Sequence, residues 1–448
     1  MLNKVKGTKD YEPIEFQVKQ IIYETFWRTA KKFGYVMIET PILESSNLFK
    51  RSVGDDSDIV NKEMYEFKDK GDRDICLRPE GTASFVRALI ENKWYANYDK
   101  FAYFGPMFRY EQPQKGRYRQ FYQAGFEFVA EKNYVKDAEL IFAAYFLLLG
   151  LNIESKLIIN CIGDKETRKN YEKALKEYLL PYKDQLNQIS QQRLEKGGVL
   201  RILDDKMDSK HKFIKNAPKI KDFLSPESKE YFKKLTEYLE ILCVDFEISN
   251  ELVRGLDYYD EIVFEFVSTS KNTGSQGTII GGGRYNNLIK ELDGPELSSI
   301  GFALGVDRLI SIFKENILNA YEIENSLNNH LIYLAASHSE ESALLLNKLA
   351  NLFLRFVFDS IKVEFKVLKP KKVYEKAKKY NAEILISDDI VNGTEMLMVK
   401  HLPTNDSIHV TKTTESFIDI IRFMADKQVE NVDPDEIEEL IEGVFENE

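Results

Sequence analysis

The stretch FRYEQPQKGRYRQFYQAGFEF, residues Phe108 to Phe128, decides how this chain reads. Its centre holds Pro113, Gln114, Lys115 and Gly116, turn-forming residues between two runs rich in aromatic side chains. The spacing predicts a β-hairpin entered at Arg109 and left through Arg117. On the outgoing strand Arg117, Arg119, Phe121, Gln123 and Glu127 share one parity, and Tyr118, Gln120, Tyr122, Phe126 and Phe128 share the other. Period-two alternation puts each set on one face of a sheet. Two guanidiniums, a ring, an amide and a carboxylate on one face are too polar for an ordinary core. With Arg109 they suit a phosphate-rich ligand, because a guanidinium fork binds phosphate through paired hydrogen bonds. A solvated edge hairpin is the plainer alternative.

Size and composition set the frame. A chain of 448 residues, 43% hydrophobic and 30% charged, suggests two or three globular domains with ample core. The most apolar run, Leu140 to Leu151, is too short to cross a bilayer, and the N-terminal MLNKVKGTKDYEP lacks the apolar centre of a signal peptide. No membrane association and a cytoplasmic location are therefore expected. Cys76, Cys161 and Cys243 are isolated, as reduced thiols are. The histidines (His211, His330, His338, His401 and His409) are scattered, so no metal site in protein side chains and no Ser–His–Asp arrangement is expected. A net charge of −11 argues against a chain that coats nucleic acid indiscriminately, but leaves room for local basic patches.

Around the hairpin, residues 14–34 predict an amphipathic helix ended by Gly34, followed by a strand from Tyr35 toward Pro41. A strand at Ile75–Arg78 leads into a helix through Leu89, with Thr82 as its cap. A helix over about 136–150 and strands at Leu157–Cys161, Ile262–Thr269, Gly277–Gly281 and Ser299–Leu304 follow, then a helix at Val306–Lys314. Strands and helices at irregular intervals predict an α+β fold around an antiparallel sheet rather than a βαβ repeat. Residues about 165–242 read as an inserted helical module. From about 326 the pattern becomes a compact α/β domain: strands at 331–336, 361–367, 382–387, 396–400 and 407–411, and helices at 339–355, 370–380 and 414–425. The tail after Asp426 is acidic and reads as solvated.

Four further segments carry chemistry. Arg78-Pro79-Glu80-Gly81-Thr82 puts a carboxylate and a hydroxyl at a strand-to-helix junction, where backbone N–H groups point outward. Leu252 to Tyr259 gathers Arg254, Asp257, Tyr258 and Tyr259. Gly281-Gly282-Gly283-Arg284-Tyr285 is either a tight turn or a place of close backbone approach. Gly301 to Arg308 ends a strand and starts a helix with an arginine in its first turn. Tyr258 and Tyr259 taken alone fit core packing equally well.

In this order the segments resemble the histidyl-tRNA synthetase family, a class II aminoacyl-tRNA synthetase family. The resemblance runs from KGTKDY to about Asp426. Phe33 to Pro41, the 108–128 hairpin and Gly301 to Leu309 are similar to the three class motifs; LVRGLDYYD and GGGRYNNL are similar to blocks of the histidine-specific branch. The resemblance implies a class II catalytic domain over 1–325, an anticodon-binding α/β domain over 326–425 and a tail over 426–448. It implies histidine and ATP as substrates, Mg2+ with the ATP, histidine tRNA as partner and a homodimer. Arg109 and Arg254 would be catalytic. Arg109, Glu111, Arg117, Phe121 and Arg308 would bind ATP. Glu80, Gly81, Thr82, Gln123, Glu127, Arg254, Tyr258, Tyr259 and Tyr285 would bind histidine. A synthetase-like regulatory paralogue that binds histidine without ligase activity is the alternative.

The residue types suit the reaction that the resemblance implies. A substrate carboxylate attacks phosphorus and pyrophosphate leaves, so positioning and cations are needed rather than a protein nucleophile. Two positions depart from the family pattern: Tyr122 stands where histidine is common and Gln112 where arginine is common. By parity Tyr122 faces away from Gln123 and Glu127 and is expected to pack. In the C-terminal domain, Lys366, Lys369, Lys371, Lys372, Lys376, Lys378 and Lys379 with Tyr374 form either a tRNA-facing surface or a solvated helix face.

Overall fold

In a computed structural model, residues 2–53, 59–112, 116–203, 205, 207–252, 258–269, 277–315, 331–356, 360–427 and 429 are described. The chain divides into two compact units, Met1–Ile317 and Leu318–Glu448. The strands of the first unit are β1 (Val36–Ile38), β2 (Leu43–Ser45), β3 (Tyr65–Lys68), β4 (Asp74–Leu77), β5 (Lys100–Phe108), β6 (Gln120–Val129), β7 (Ser155–Gly163), β8 (Phe246–Ile248), β9 (Asp260–Ser268), β10 (Thr278–Tyr285) and β11 (Ser299–Gly305). Eight of them form one sheet in the order β1-β5-β6-β11-β10-β9-β7-β8. The expected antiparallel sheet is present, with parallel pairs added at its two ends, β1 on β5 and β7 on β8.

The two faces of this sheet differ in chemistry. Ala124, Phe126 and Phe128 of β6, with Ile300, Phe302 and Leu304 of β11, share one face by register. Phe126 there meets Phe26 and Phe302 at ring-centroid distances of 4.9 and 5.0 Å, and stacks on Tyr35 at 4.4 Å. Phe26 comes from the helix Pro13–Lys32, whose buried residues recur every three or four positions. The other face carries Phe121, Gln123, Gly125 and Glu127. Gly301 and Gly283 lie beside Glu127 in consecutive register. Polar groups thus gather on a floor of glycines, one layer away from the aromatic core.

A buried ion pair ties the sheet to its helices. Arg284, on the aromatic face of β10, donates from Nε to Asp137 Oδ2 at 2.8 Å and from Nη2 to Asp137 Oδ1; both side chains are fully buried. Asp137 belongs to the helix Tyr134–Gly150 and also accepts from Tyr231 of the helix Pro226–Ile241. The insertion, with helices Lys165–Leu179, Gln188–Lys196 and Pro226–Ile241, is helical as expected, and its last helix packs along Tyr134–Gly150.

Several expectations need correction. β5 stops at Phe108 and β6 starts at Gln120, so Arg117 and Arg119 lie in the connection rather than on the strand face. Pro113, Gln114 and Lys115 fall outside the described residues. Thr82 does not cap the helix Thr82–Glu91 but is its first residue. Glu80 does the capping, accepting from the Thr82 and Ala83 N–H groups at 2.8 and 2.7 Å. Gly281, Gly282 and Gly283 make no tight turn; they run straight through β10. A Cβ on Gly282 would fall 2.4 Å from the Gly301 carbonyl oxygen, so the close approach is that of the neighbouring strand.

In the second unit β12 (Ile332–Leu334), β13 (Ile361–Val363), β14 (Ile384–Val391), β15 (Thr394–His401) and β16 (Ser407–Thr411) form a sheet in the order β13-β12-β14-β15-β16. The first and second strands expected here are shorter than 331–336 and 361–367. The helices are Glu340–Phe356, Pro370–Lys379 and Phe417–Asp426. Asn392 (φ 50°) and Gly393 (φ 80°) join β14 to β15 in left-handed conformations, as a two-residue hairpin requires.

Candidate active site

The polar face of the sheet and the β4-to-helix junction meet in one buried polar cluster, the candidate pocket. Glu127, fully buried on β6, accepts from Thr82 Oγ1 at 2.7 Å and from the Tyr285 hydroxyl at 2.5 Å. Gly301 makes room for it: a Cβ there would lie 1.8 Å from Glu127 Oε2. Gln123, four residues earlier on the same face, accepts from the Gly81 N–H at 3.0 Å and so fixes the junction against the sheet. Tyr258 and Tyr259 close the pocket beside Tyr285, with ring centroids of Tyr258 at 4.6 Å from Tyr259 and 5.7 Å from Tyr285. On the outer side of these phenols a cleft of about 360 Å³ is lined by Lys165, Arg168 and Asp260, among others.

Burial sets the electrostatics. It pushes the Glu127 carboxyl up to about 8, aided by the charge of Glu80, while the Tyr285 and Thr82 hydroxyls pull the other way. Glu80 is raised by burial and held back by its two backbone N–H donors and by Arg109. Tyr258 and Tyr285 are raised well above the ordinary phenol range by burial and by nearby ionisable groups, so both act as neutral hydroxyls. Asp260 is pushed up to about 7 by burial, against the N–H of Asn286.

The expected nucleotide residues lie next to this pocket. Arg109 donates from Nε to the Pro79 carbonyl at 2.8 Å and stands 5.3 Å from the Phe121 ring centroid. Arg117 pairs with Glu111 at 3.0 Å, while its Nε is buried without a hydrogen-bond partner among the described residues. Arg308 donates to the Thr278 carbonyl, and a Cβ on Gly116 would meet its Cγ at 3.4 Å, which places the returning end of the loop against Arg308. Arg254 lies outside the described residues. Every other expected site residue falls in the linked sets just described. Tyr122 packs as expected, with Lys19 Nζ 3.7 Å from its ring centroid and Phe104 at 6.0 Å.

Sequence reasoning passed over three supporting groups. Asp307 accepts from the Tyr11 hydroxyl at 2.6 Å and from the Tyr122 N–H at 2.8 Å, fastening the N-terminal KGTKDY segment beside Arg308. The Arg119 N–H donates to the Gly7 carbonyl at 2.8 Å, a second fastening. Arg78, 3% exposed, bonds the Thr40 and Pro106 carbonyls, and Gly105 leaves the space it needs. No local pattern marks these, because each contact joins segments far apart in the chain. Among the described residues no three His, Cys, Asp or Glu side chains gather as metal ligands, and no helix is long and apolar enough to cross a membrane.

Comparison with known proteins fits this geometry. Residues 7–309 match the family model of histidyl-tRNA synthetase. The histidine–tRNA ligase of Mycoplasmopsis pulmonis is 42% identical over 401 residues, covering 89% of this chain and 92% of that protein. The histidine–tRNA ligase of Lactiplantibacillus plantarum is 41% identical over 401 residues, 86% of this chain and 92% of its own length. The crystal structure of apo Staphylococcus aureus histidyl-tRNA synthetase superposes with a TM-score of 0.72 at 32% identity, over 92% of this chain and 97% of that one. A buried, hydroxyl-anchored carboxylate beside an arginine-lined loop, on a sheet of this order, therefore sits in a chain that belongs to the histidyl-tRNA synthetase family.

Proposed function

We propose that the pocket around Glu127 is the centre at which this chain, as a histidine–tRNA ligase, joins histidine to AMP and then to the 3′ end of histidine tRNA. The observation that carries the reading is Glu127 itself: a carboxylate excluded from water, oriented by two hydroxyls and seated over Gly301. A neutral imidazole has one N–H donor and one bare nitrogen. Glu127 would accept from the first, and a phenol of Tyr258 or Tyr259 would donate to the second. Any other side chain would leave these buried groups unpaired, a penalty that can give about 10⁴-fold discrimination without editing.

Glu80, Gly81, Thr82 and Gln123 would hold the amino end. ATP is the second substrate of the family, and Arg109, Glu111, Arg117, Phe121 and Arg308 would receive it, the unpaired Arg117 Nε offering a donor to a phosphate. A histidine carboxylate oxygen then attacks the α-phosphorus and the bond to pyrophosphate breaks. Arg109 and Arg254 would neutralise the charge that builds on the α-phosphate, and removal of one such donor typically costs about 3–4 kcal/mol of barrier. Mg2+ would arrive with the nucleotide as part of that substrate. In the second step a terminal ribose hydroxyl of tRNA attacks the acyl carbon, and AMP leaves with the bonding electrons.

The reading extends to the rest of the chain: a class II catalytic domain over 1–325, an anticodon-binding domain over 326–425 whose lysine-rich helix Pro370–Lys379 faces tRNA, an acidic tail over 426–448, and a cytoplasmic homodimer. The test is ATP–pyrophosphate exchange screened over all twenty amino acids. Exchange with histidine alone is expected. Exchange with another amino acid, or histidine binding without exchange as in a regulatory paralogue, would overturn the reading.

A further inference from the structure

Tyr103 stands in the middle of this pocket and has no role so far. It lies on β5 in register with Gly125 and therefore shares the face of Gln123 and Glu127. Two glycines make its place. A Cβ on Gly81 would fall 2.3 Å from its ring carbons, and a Cβ on Gly125 would fall 2.4 Å from Cζ and 2.5 Å from the hydroxyl oxygen. The hydroxyl thus stands over Gly125, between the amide of Gln123 and the carboxylate of Glu127 along the strand.

Tyr103 is 6% exposed, yet among the described residues its hydroxyl makes no well-formed hydrogen bond, the nearby Thr82 hydroxyl being turned to Glu127. The hydroxyls of Thr82 and Tyr285 both give their protons to Glu127 and so have none to donate to Tyr103. Leaving a buried hydroxyl unpaired opposes folding, and phenylalanine would fill the same volume without that cost. Packing therefore accounts for the ring and not for the oxygen. The other acceptors at the junction each carry a protein donor already: both Glu80 oxygens take backbone N–H groups, and Gln123 Oε1 takes that of Gly81. Among the described acceptors of the junction the phenol oxygen carries none, while Glu80 and Gln123 keep a lone pair for the same group. An amino-acid α-ammonium brings three N–H donors into a pocket built this way.

We infer that the Tyr103 hydroxyl is a further substrate-binding group, which accepts a hydrogen bond from the α-ammonium of bound histidine. The inference rests on the reading of this pocket as the histidine site. It explains why position 103 keeps a hydroxyl that the empty protein cannot satisfy, and why positions 81 and 125 are both glycine.

Tyr103→Phe tests it, because function and stability move in opposite directions. Calorimetric binding of histidine is expected to weaken roughly tenfold, the size of one hydrogen bond. The KM for histidine in pyrophosphate exchange should rise to match, with the KM for ATP unchanged and Tm equal to or above that of the parent. Binding of 3-(imidazol-4-yl)propionate, which lacks the amino group, should not change. Unchanged histidine binding in Tyr103→Phe would overturn the inference, and so would equal weakening of both ligands. If the parent protein itself binds no histidine, the reading of the pocket falls with it; parent binding that survives the substitution sinks only the role of Tyr103.

Discussion

Gly301→Ala isolates the fit on which the pocket depends. The added methyl would sit 1.8 Å from Glu127 Oε2, about 1.6 Å short of ordinary van der Waals contact. Gly301 is held in mid-sheet between β6 and β10, so the backbone has little freedom to yield. The carboxylate is the movable partner, and a retreat of that size breaks its 2.5 Å bond to Tyr285. The fold should survive, because the clash meets the end of a flexible side chain. Histidine, in contrast, loses a hydrogen bond to the buried Glu127 carboxyl, worth about 0.5–1.5 kcal/mol, or roughly 2- to 10-fold in affinity. Pyrophosphate exchange should show this as a raised KM for histidine with an ordinary KM for ATP. The decisive comparison is with Glu127→Ala. If the methyl acts only by displacing Glu127, then adding Gly301→Ala to Glu127→Ala should cost less than about twofold more. An undiminished effect of Gly301→Ala in that background would refute the reasoning.

Three further outcomes are expected. Arg254→Ala should leave circular dichroism and Tm unchanged while lowering histidine-dependent exchange by about 100-fold or more, read in the same assay; near-normal exchange would remove Arg254 from the chemistry. Glu127 has a carboxyl raised from 4.5 to about 8 in the fold, so its contribution to stability is fully present below pH 4.5 and is lost as pH rises through about 8. Glu127→Gln, which carries no charge, should therefore raise Tm relative to the parent at pH 8.5 and by much less at pH 5, with histidine absent. Asp137→Asn should lower stability by about 3–5 kcal/mol in denaturant unfolding, because it strands the fully buried Arg284; a loss under 1 kcal/mol would show that the pair is dispensable.

The parts of this protein that were legible in advance are those written in local pattern. The alternation of Gln123 and Glu127 against Tyr122 and Phe126 placed each on its proper face, because strand geometry forces period two whatever lies beside it. The Asn392-Gly393 turn followed from the same kind of local rule. What failed also has a physical cause. Arg117 and Arg119 continue the parity of β6 but fall beyond its end, since a strand stops where its partner does and sequence period does not mark that point. Thr82 resembles a helix cap, but a nearby buried carboxylate took its hydroxyl and Glu80 satisfied the helix end instead. The triple glycine left a turn and a close approach both open, because what decides between them, the closeness of Phe264, Tyr259 and the Gly301 backbone, comes from segments elsewhere in the chain. Tyr103 gave no signal, as one tyrosine in an apolar strand looks like any other.

The position of β11 has a consequence for biogenesis. It lies between β6 and β10, yet it is the last strand of its sheet to leave the ribosome. Until Ser299–Gly305 emerges, β1-β5-β6 and β10-β9-β7-β8 exist as separate half-sheets, each presenting a raw hydrogen-bonding margin to solvent. The Tyr11–Asp307 clasp bridges 296 positions and must wait as long. Nascent chains truncated just before residue 299 should thus bind chaperones and aggregate, and chains released a few residues after 307 should not.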